Sequence, residues 1–179
     1  MFLNLTARRF SARRYASLPV DRTIIDRCCE AARLAPSACN SQPWHFHIID
    51  QEPLRSAAAK QLVSSLLGLN SFALKAPVIV CIAADTGTLP ARIGGFIQQK
   101  PFWLIDVGIA AEHFCLQAAE EGLGTCMIGW FDEKAVKKIL GIPRPLRIPL
   151  AITAGYPEPP EFTREKIRKR LDEMRTYQK

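Results

Sequence analysis

Nine consecutive residues, Ala76 to Ala84, form the longest uninterrupted apolar run in the chain. Val78, Ile79, Val80 and Ile82 make it β-branched, and no polar residue alternates with them. A strand that is apolar on both faces must be covered on both faces, so the run predicts a central strand in a sheet sandwiched by helices. It is too short for a membrane-spanning helix, which needs about 20 apolar residues. No charged and apolar leader opens the chain, which reads as a cytoplasmic protein with no membrane partner.

The flanking sequence supplies the covering elements. Ile24, Ile25, Cys28, Cys29, Ala32 and Ala35 recur at helical spacing after the capping residue Asp21, until Pro36 interrupts. Residues 36–43 read as a polar loop, and Trp44 to Ile49 as a strand with Trp44, Phe46 and Ile48 on one face. Pro53 at a first helical position starts a helix running to Leu67, before Gly68. Leu104 to Glu121 carries the widest apolar stripe of any helix, with Gly122 beyond its end. Thr125 to Trp130 and Arg147 to Ala154 read as strands, and Asp132 caps a helix to Leu140. From Thr163 the spacing of Ile167, Leu171 and Met174 predicts an amphipathic helix or an extended arm, and residues 86–101 a long loop or short excursion. Helices and strands alternate without repeat or linker, so one α/β or α+β domain spans residues 1–179.

The formal net charge of +7 is unevenly placed. Residues 1–34 and 164–179 each carry seven basic residues against three acids, while residues 35–163 stand at −1. Such ends suit nucleic acid, a membrane surface, mere solubility, or one anionic ligand if the fold brings them together. Phe10, Tyr15 and Tyr177 are too few near them to serve as a stacking platform, which argues against nucleic acid.

Reactive side chains are sparse. The six cysteines show no C-x-x-C spacing and read as reduced thiols, with no metal site expected. His45 and His47 share a strand face but have no third ligand at suggestive spacing, and His113 sits within a helix. Gly122-Leu123-Gly124 follows a helix instead of opening one and lacks a third glycine, so it is no dinucleotide fingerprint. There is no phosphate loop either, so any phosphate must be gripped by side chains, and an enzyme of this composition needs a cofactor for its chemistry.

Two segments carry the positive evidence. Arg9-Phe10-Ser11-Ala12-Arg13 places two guanidinium groups and a hydroxyl in five residues, a competent anion clamp that also reads as a solvated face. Pro36-Ser37-Ala38-Cys39-Asn40-Ser41-Gln42-Pro43-Trp44 holds Ser, Asn and Gln between two prolines, suited to the edge of a heteroaromatic ring or to a well-capped turn.

These segments, with Tyr15, the passage Asp106 to Gly129, Gly155-Tyr156-Pro157 and the basic stretch Lys166 to Leu171, resemble the FMN-dependent nitroreductases and their flavin reductase relatives. The blocks occur in family order over nearly the whole chain. The resemblance implies an α+β fold with a mostly antiparallel sheet flanked by helices, in an intertwined homodimer with FMN at the subunit interface. It assigns the FMN phosphate to Arg9, Ser11 and Arg168, with Lys166 beside them and Phe10 contributing backbone alone. Arg13 falls near the pyrimidine edge, where positive charge favours the reduced ring. Pro36, Ser37, Ala38, Asn40 and Gln42 line the ring, partly from the other subunit, with Ile128 and Gly129 approaching it.

The activity implied is hydride transfer from NADH or NADPH through the flavin to a small-molecule oxidant, such as a nitroaromatic or quinone, with ping-pong kinetics and no catalytic side chain. The alternatives are reductive dehalogenation or flavin destruction on the same scaffold, and a non-enzymatic FMN- or nucleic-acid-binding module.

Overall fold

The computed structural model describes residues 1–64, 68–85, 100–158 and 166–178. In chain order these form α1 (Phe2–Arg8), α2 (Arg22–Arg33), β1 (Trp44–Ile49), α3 (Leu54–Leu62), β2 (Val78–Ala84), α4 (Phe102–Glu120), β3 (Gly124–Ile128), α5 (Glu133–Leu140), β4 (Arg147–Gly155) and α6 (Leu171–Met174). The strands make one sheet in the order β1-β2-β4-β3, every neighbour antiparallel. The fold is thus α+β, as the resemblance implies.

All seven residues of β2 are buried, and the alternation of the strand divides them between two cores. Val78, Val80, Ile82 and Ala84 pack with Ile25, Cys28 and Ala32 of α2 and with Val107, Ala111 and Phe114 of α4. Ile79, Cys81 and Ala83 pack on the other side with Ala58, Ala59 and Leu62 of α3 and Val136 of α5. The apolar run thus specifies both layers at once.

Local capping signals hold. Asp21 accepts the Thr23 N–H at 2.8 Å, Asp132 accepts the Ala135 N–H at 2.9 Å, and Gly122 takes a φ of +80° just past α4.

Several boundaries shift. Pro53 occupies the capping position ahead of α3 instead of its first turn, and α3 ends at Leu62, not Leu67. Val63 leaves the helix in an extended conformation and the Ser64 N–H bonds Leu69 O, while residues 65–67 of the expected helix lie outside the described residues. β3 begins at Gly124 and stops at Ile128, where its register with β4 runs out at Ala151, leaving Trp130 67% exposed. The C-terminal segment forms a single helical turn, α6, with Ile167, Leu171 and Met174 all exposed. Residues 86–99, most of the expected loop or excursion, and residues 163–165 lie outside the described residues. No helix among the described residues is long and apolar enough to cross a membrane.

The chain between α1 and α2 is pinned across one end of the sheet. Ser11 bridges Thr125 in parallel, and Tyr15 bridges Pro157. Tyr15 is 3% exposed, donates its hydroxyl to Ala12 O at 2.8 Å, and lies 2.7 Å from Thr153 Oγ1. Gly155 lets this pillar stand close: a Cβ there would lie 2.5 Å from Pro77 Cγ and 3.0 Å from Tyr15 Cδ1. Gly155→Ala is therefore expected to destabilise the fold by about 1–3 kcal/mol through overpacking, read as a lower urea midpoint at unchanged slope.

Candidate functional site

Arg9 leaves α1 in an extended conformation, and the next residues run along the free edge of β3. The Ala12 N–H donates to Thr125 O at 2.9 Å, and Ala12 is fully buried against Gly124, whose absent Cβ would stand 2.5 Å from the Ala12 Cβ. With Ala12 turned inward, Ser11 and Arg13 are turned outward and exposed. The sheet edge thus aims the clamp.

The C-terminal segment returns to the same place. Lys166 Nζ donates to Thr6 O at 2.7 Å, and Arg168 Nη1 donates to Ile167 O at 2.8 Å, within the segment itself. Arg9, Phe10, Ser11, Arg13, Lys166, Ile167 and Arg168 together line a cavity of about 280 Å³. Every residue assigned from the two ends of the sequence therefore meets in one place.

Charge in this cavity is predominantly positive. Arg9 Nε lies 3.2 Å from Glu112 Oε1 on α4, which orients the guanidinium. Burial, and then the positive charges of Arg9 and Arg168, push the Lys166 ammonium below its ordinary pKa, with Glu112 opposing. Crowded cations that disfavour one another's charge fit an anion, and four basic side chains with a serine suit a phosphate monoester. At about 280 Å³ the cavity is slightly below the roughly 300–1,000 Å³ typical of sites for whole drug-sized ligands. Beyond it, the Arg13 guanidinium lies 5.9 Å from the centre of the Phe72 ring.

The lowered Lys166 pKa has a testable sign. Between that value and 10.5 the folded protein binds fewer protons than the unfolded chain. Stability of the ligand-free protein is accordingly expected to gain from this group as pH rises through that window. Lys166→Gln should remove this component from urea unfolding measured across a pH series.

The loop at residues 36–43 is built differently. A short 3₁₀ turn, Ala38–Asn40, sits at its centre. The Ser37 hydroxyl accepts the Gln42 N–H at 3.0 Å, and Gln42 Nε2 donates to Asn40 Oδ1 at 3.0 Å, so these polar groups hold one another. Asp106 of α4, 4% exposed, accepts the Ala38 N–H at 3.0 Å. Ile128 is buried at the end of β3, and Gly129 is exposed just beyond it.

None of Pro36, Ser37, Ala38, Asn40, Gln42, Ile128 or Gly129 lines the cationic cavity. Asp106 and Glu112 are six residues apart on α4, which places the loop and the clamp about 120° apart around the helix and about 9 Å along it. Among the described residues, the loop and the clamp thus line different surfaces of the chain.

Glu112, Phe72 and Asp106 did not emerge from the sequence. An acidic residue inside an otherwise apolar helical stripe was the one available signal, and it names no partner. The remaining titratable groups offer little chemistry. Burial pushes Cys28, Cys81 and Cys115 up to about 12 and Cys29 to about 11, so these remain thiols and poor nucleophiles. The His45 and His47 rings pack edge to face with centroids 4.7 Å apart, burial and then His45 lower the His47 pKa, and His113 Nδ1 lies 3.2 Å from Ala31 O. No three metal-ligating side chains gather among the described residues.

Residues 6–156 match the model of the Nitroreductase family. The chain is 29% identical over 161 residues to a protein of Archaeoglobus fulgidus provisionally named NADH dehydrogenase/NAD(P)H nitroreductase, covering 87% of this chain and 85% of that one. Among solved structures it is similar to a nitroreductase family protein of Clostridium novyi NT, with a TM-score of 0.79, 28% identity, and coverage of 89% of this chain and 86% of that one. It is also similar to an FMN-dependent nitroreductase of Clostridium difficile R20291, with a TM-score of 0.73, 25% identity, and coverage of 96% and 93%. A family match that takes in the clamp, both cores and the whole sheet is decisive: this chain belongs to the nitroreductase family.

Proposed function

We propose that the protein is an FMN-dependent oxidoreductase that passes hydride from NADH or NADPH to a small conjugated acceptor, such as a nitroaromatic or a quinone. The observation that carries this reading is the convergence of Arg9, Ser11, Lys166 and Arg168, drawn from opposite ends of the chain, on one cationic cavity. A flavin without a phosphate would leave those cations unused. When bound there, FMN supplies the two-electron hydride chemistry that no side chain here offers.

The chain's own residues bind and orient. Arg9, braced by Glu112, presents charge-assisted donors to the phosphate, with Ser11 as a neutral donor. Lys166 and Arg168 close the cavity from the other end of the chain, and Arg13 places a positive charge at the cavity rim toward Phe72.

The reading includes a homodimer. Within one chain the loop at residues 36–43 does not line the cationic cavity, which fits a site completed by the loop of a second copy. Leu104 and Ile105 on α4, and Ile167, Leu171 and Met174 on the C-terminal segment, are exposed apolar residues that such a copy would cover.

Anaerobic mixing of the FMN-loaded protein with NADH and with NADPH tests the activity. Bleaching of the flavin absorbance by either, followed by its return on adding a quinone, is the expected result. A yellow protein that neither nicotinamide bleaches contradicts the reductase assignment.

A further inference from the structure

Within four residues of the loop at 36–43, Cys39, Asn40 and Gln42 take positive φ values of 52°, 50° and 43°. Left-handed backbone at non-glycine residues persists only where the surroundings over-determine it, and it concentrates at functional sites. Part of the restraint is internal. The Asn40 N–H bonds Ser37 O and the Ser41 N–H bonds Ala38 O, both at 3.0 Å. Ser37 Oγ and Gln42 close the turn from either side.

These contacts give the loop a shape but do not fix where it stands. Its tie to the helical layer is Asp106, whose Oδ1 accepts the Ala38 N–H at 3.0 Å and whose Oδ2 faces the Ser41 hydroxyl at 3.4 Å. Asp106 is buried beside Val107 and Ala110, in a layer where a carboxylate without these partners would be costly. An apolar residue would pack there more cheaply. Its place in the layer is explained by the loop it holds.

We propose that Asp106 is the positioning residue of this site: it anchors the turn at residues 37–42, with its left-handed Cys39, Asn40 and Gln42, and so sets the surface that the hydride acceptor meets. The proposal rests on the reading above that this loop borders the flavin. Asp106 itself is remote from the phosphate cavity and acts through Ala38 and Ser41, so its loss should separate turnover from cofactor affinity.

The experiment compares FMN-loaded wild-type protein with Asp106→Ala and Asp106→Asn, reading amide hydrogen exchange at Ala38, FMN affinity, and kcat and KM for NADH-dependent reduction of a quinone. Asp106→Ala is expected to speed exchange at Ala38 by about tenfold or more and to lower kcat/KM by about 10- to 100-fold, while FMN affinity stays within about threefold. Asp106→Asn keeps an oxygen for the Ala38 N–H and should restore most of both losses. Unchanged exchange at Ala38 in Asp106→Ala overturns the anchoring, and faster exchange with wild-type kcat/KM overturns the positioning role. If Asp106→Ala does not fold, Ser41→Ala is expected to lower kcat/KM by about two- to tenfold at constant FMN affinity, and no change there overturns the proposal. A wild-type protein that binds no FMN would sink the proposed function by itself, and exchange at Ala38 would still decide whether Asp106 holds the loop.

Discussion

Arg9→Ala is expected to weaken FMN binding by about 10- to 150-fold while leaving riboflavin binding nearly unchanged, because a hydrogen bond to a charged group is worth about 1.5–3 kcal/mol and each 1.4 kcal/mol is tenfold. Arg9 is the best-prepared cation of the cavity. Its side chain is 19% exposed, and Glu112 restrains the guanidinium, so little freedom is lost when the phosphate arrives. Arg168→Ala should fall at the lower end of the same range. That side chain is exposed and bonds only within its own segment among the described contacts, so ordering it offsets part of its gain. Fluorescence quenching titrations with FMN and riboflavin read both variants, and unchanged FMN affinity in both contradicts the phosphate assignment.

Phe114→Ala is expected to cost about 3–5 kcal/mol of folding stability, or about 6–20 °C in melting temperature for a domain of this size. Phe114 is fully buried on the sheet-facing side of α4, and its ring stacks on Phe46 of β1 with centroids 5.8 Å apart. It touches the core that joins α2, α4 and one face of β2, so the cavity it leaves lies at the meeting of three elements. A thermal melt reads the effect, and a shift below about 2 °C would show that this core collapses around the gap.

What the sequence made legible was what is local or periodic. The unbroken apolar run of β2 required cover on both faces and received it, and the caps Asp21, Asp132 and Gly122 marked helix ends correctly because each acts within a few residues of itself. Where the sequence reading went wrong, the ending depended on a partner further along the chain: β3 stops at Ile128 where β4 ceases to pair with it, and α3 stops at Leu62 where Val63 turns extended and the Ser64 N–H bonds Leu69 O.

The site divides along the same line. Charge placement announced that the two termini were special, and the family resemblance supplied the phosphate that their convergence fits. Glu112 beneath Arg9 and Asp106 beneath Ala38 are pairings across distant sequence, set by how α4 crosses its neighbours, and no spacing encodes them. The left-handed turn was equally hidden. Asn tolerates that conformation, but Cys39 and Gln42 do not advertise it.

The proposed function requires the cationic cavity to be a phosphate site for a flavin. Parallel titration of the purified protein with FMN and riboflavin, each repeated with added inorganic phosphate, tests it most directly. FMN is expected to bind at least about tenfold tighter than riboflavin, and phosphate to erode the difference. Equal affinity for the two flavins, or no binding of either, would contradict it.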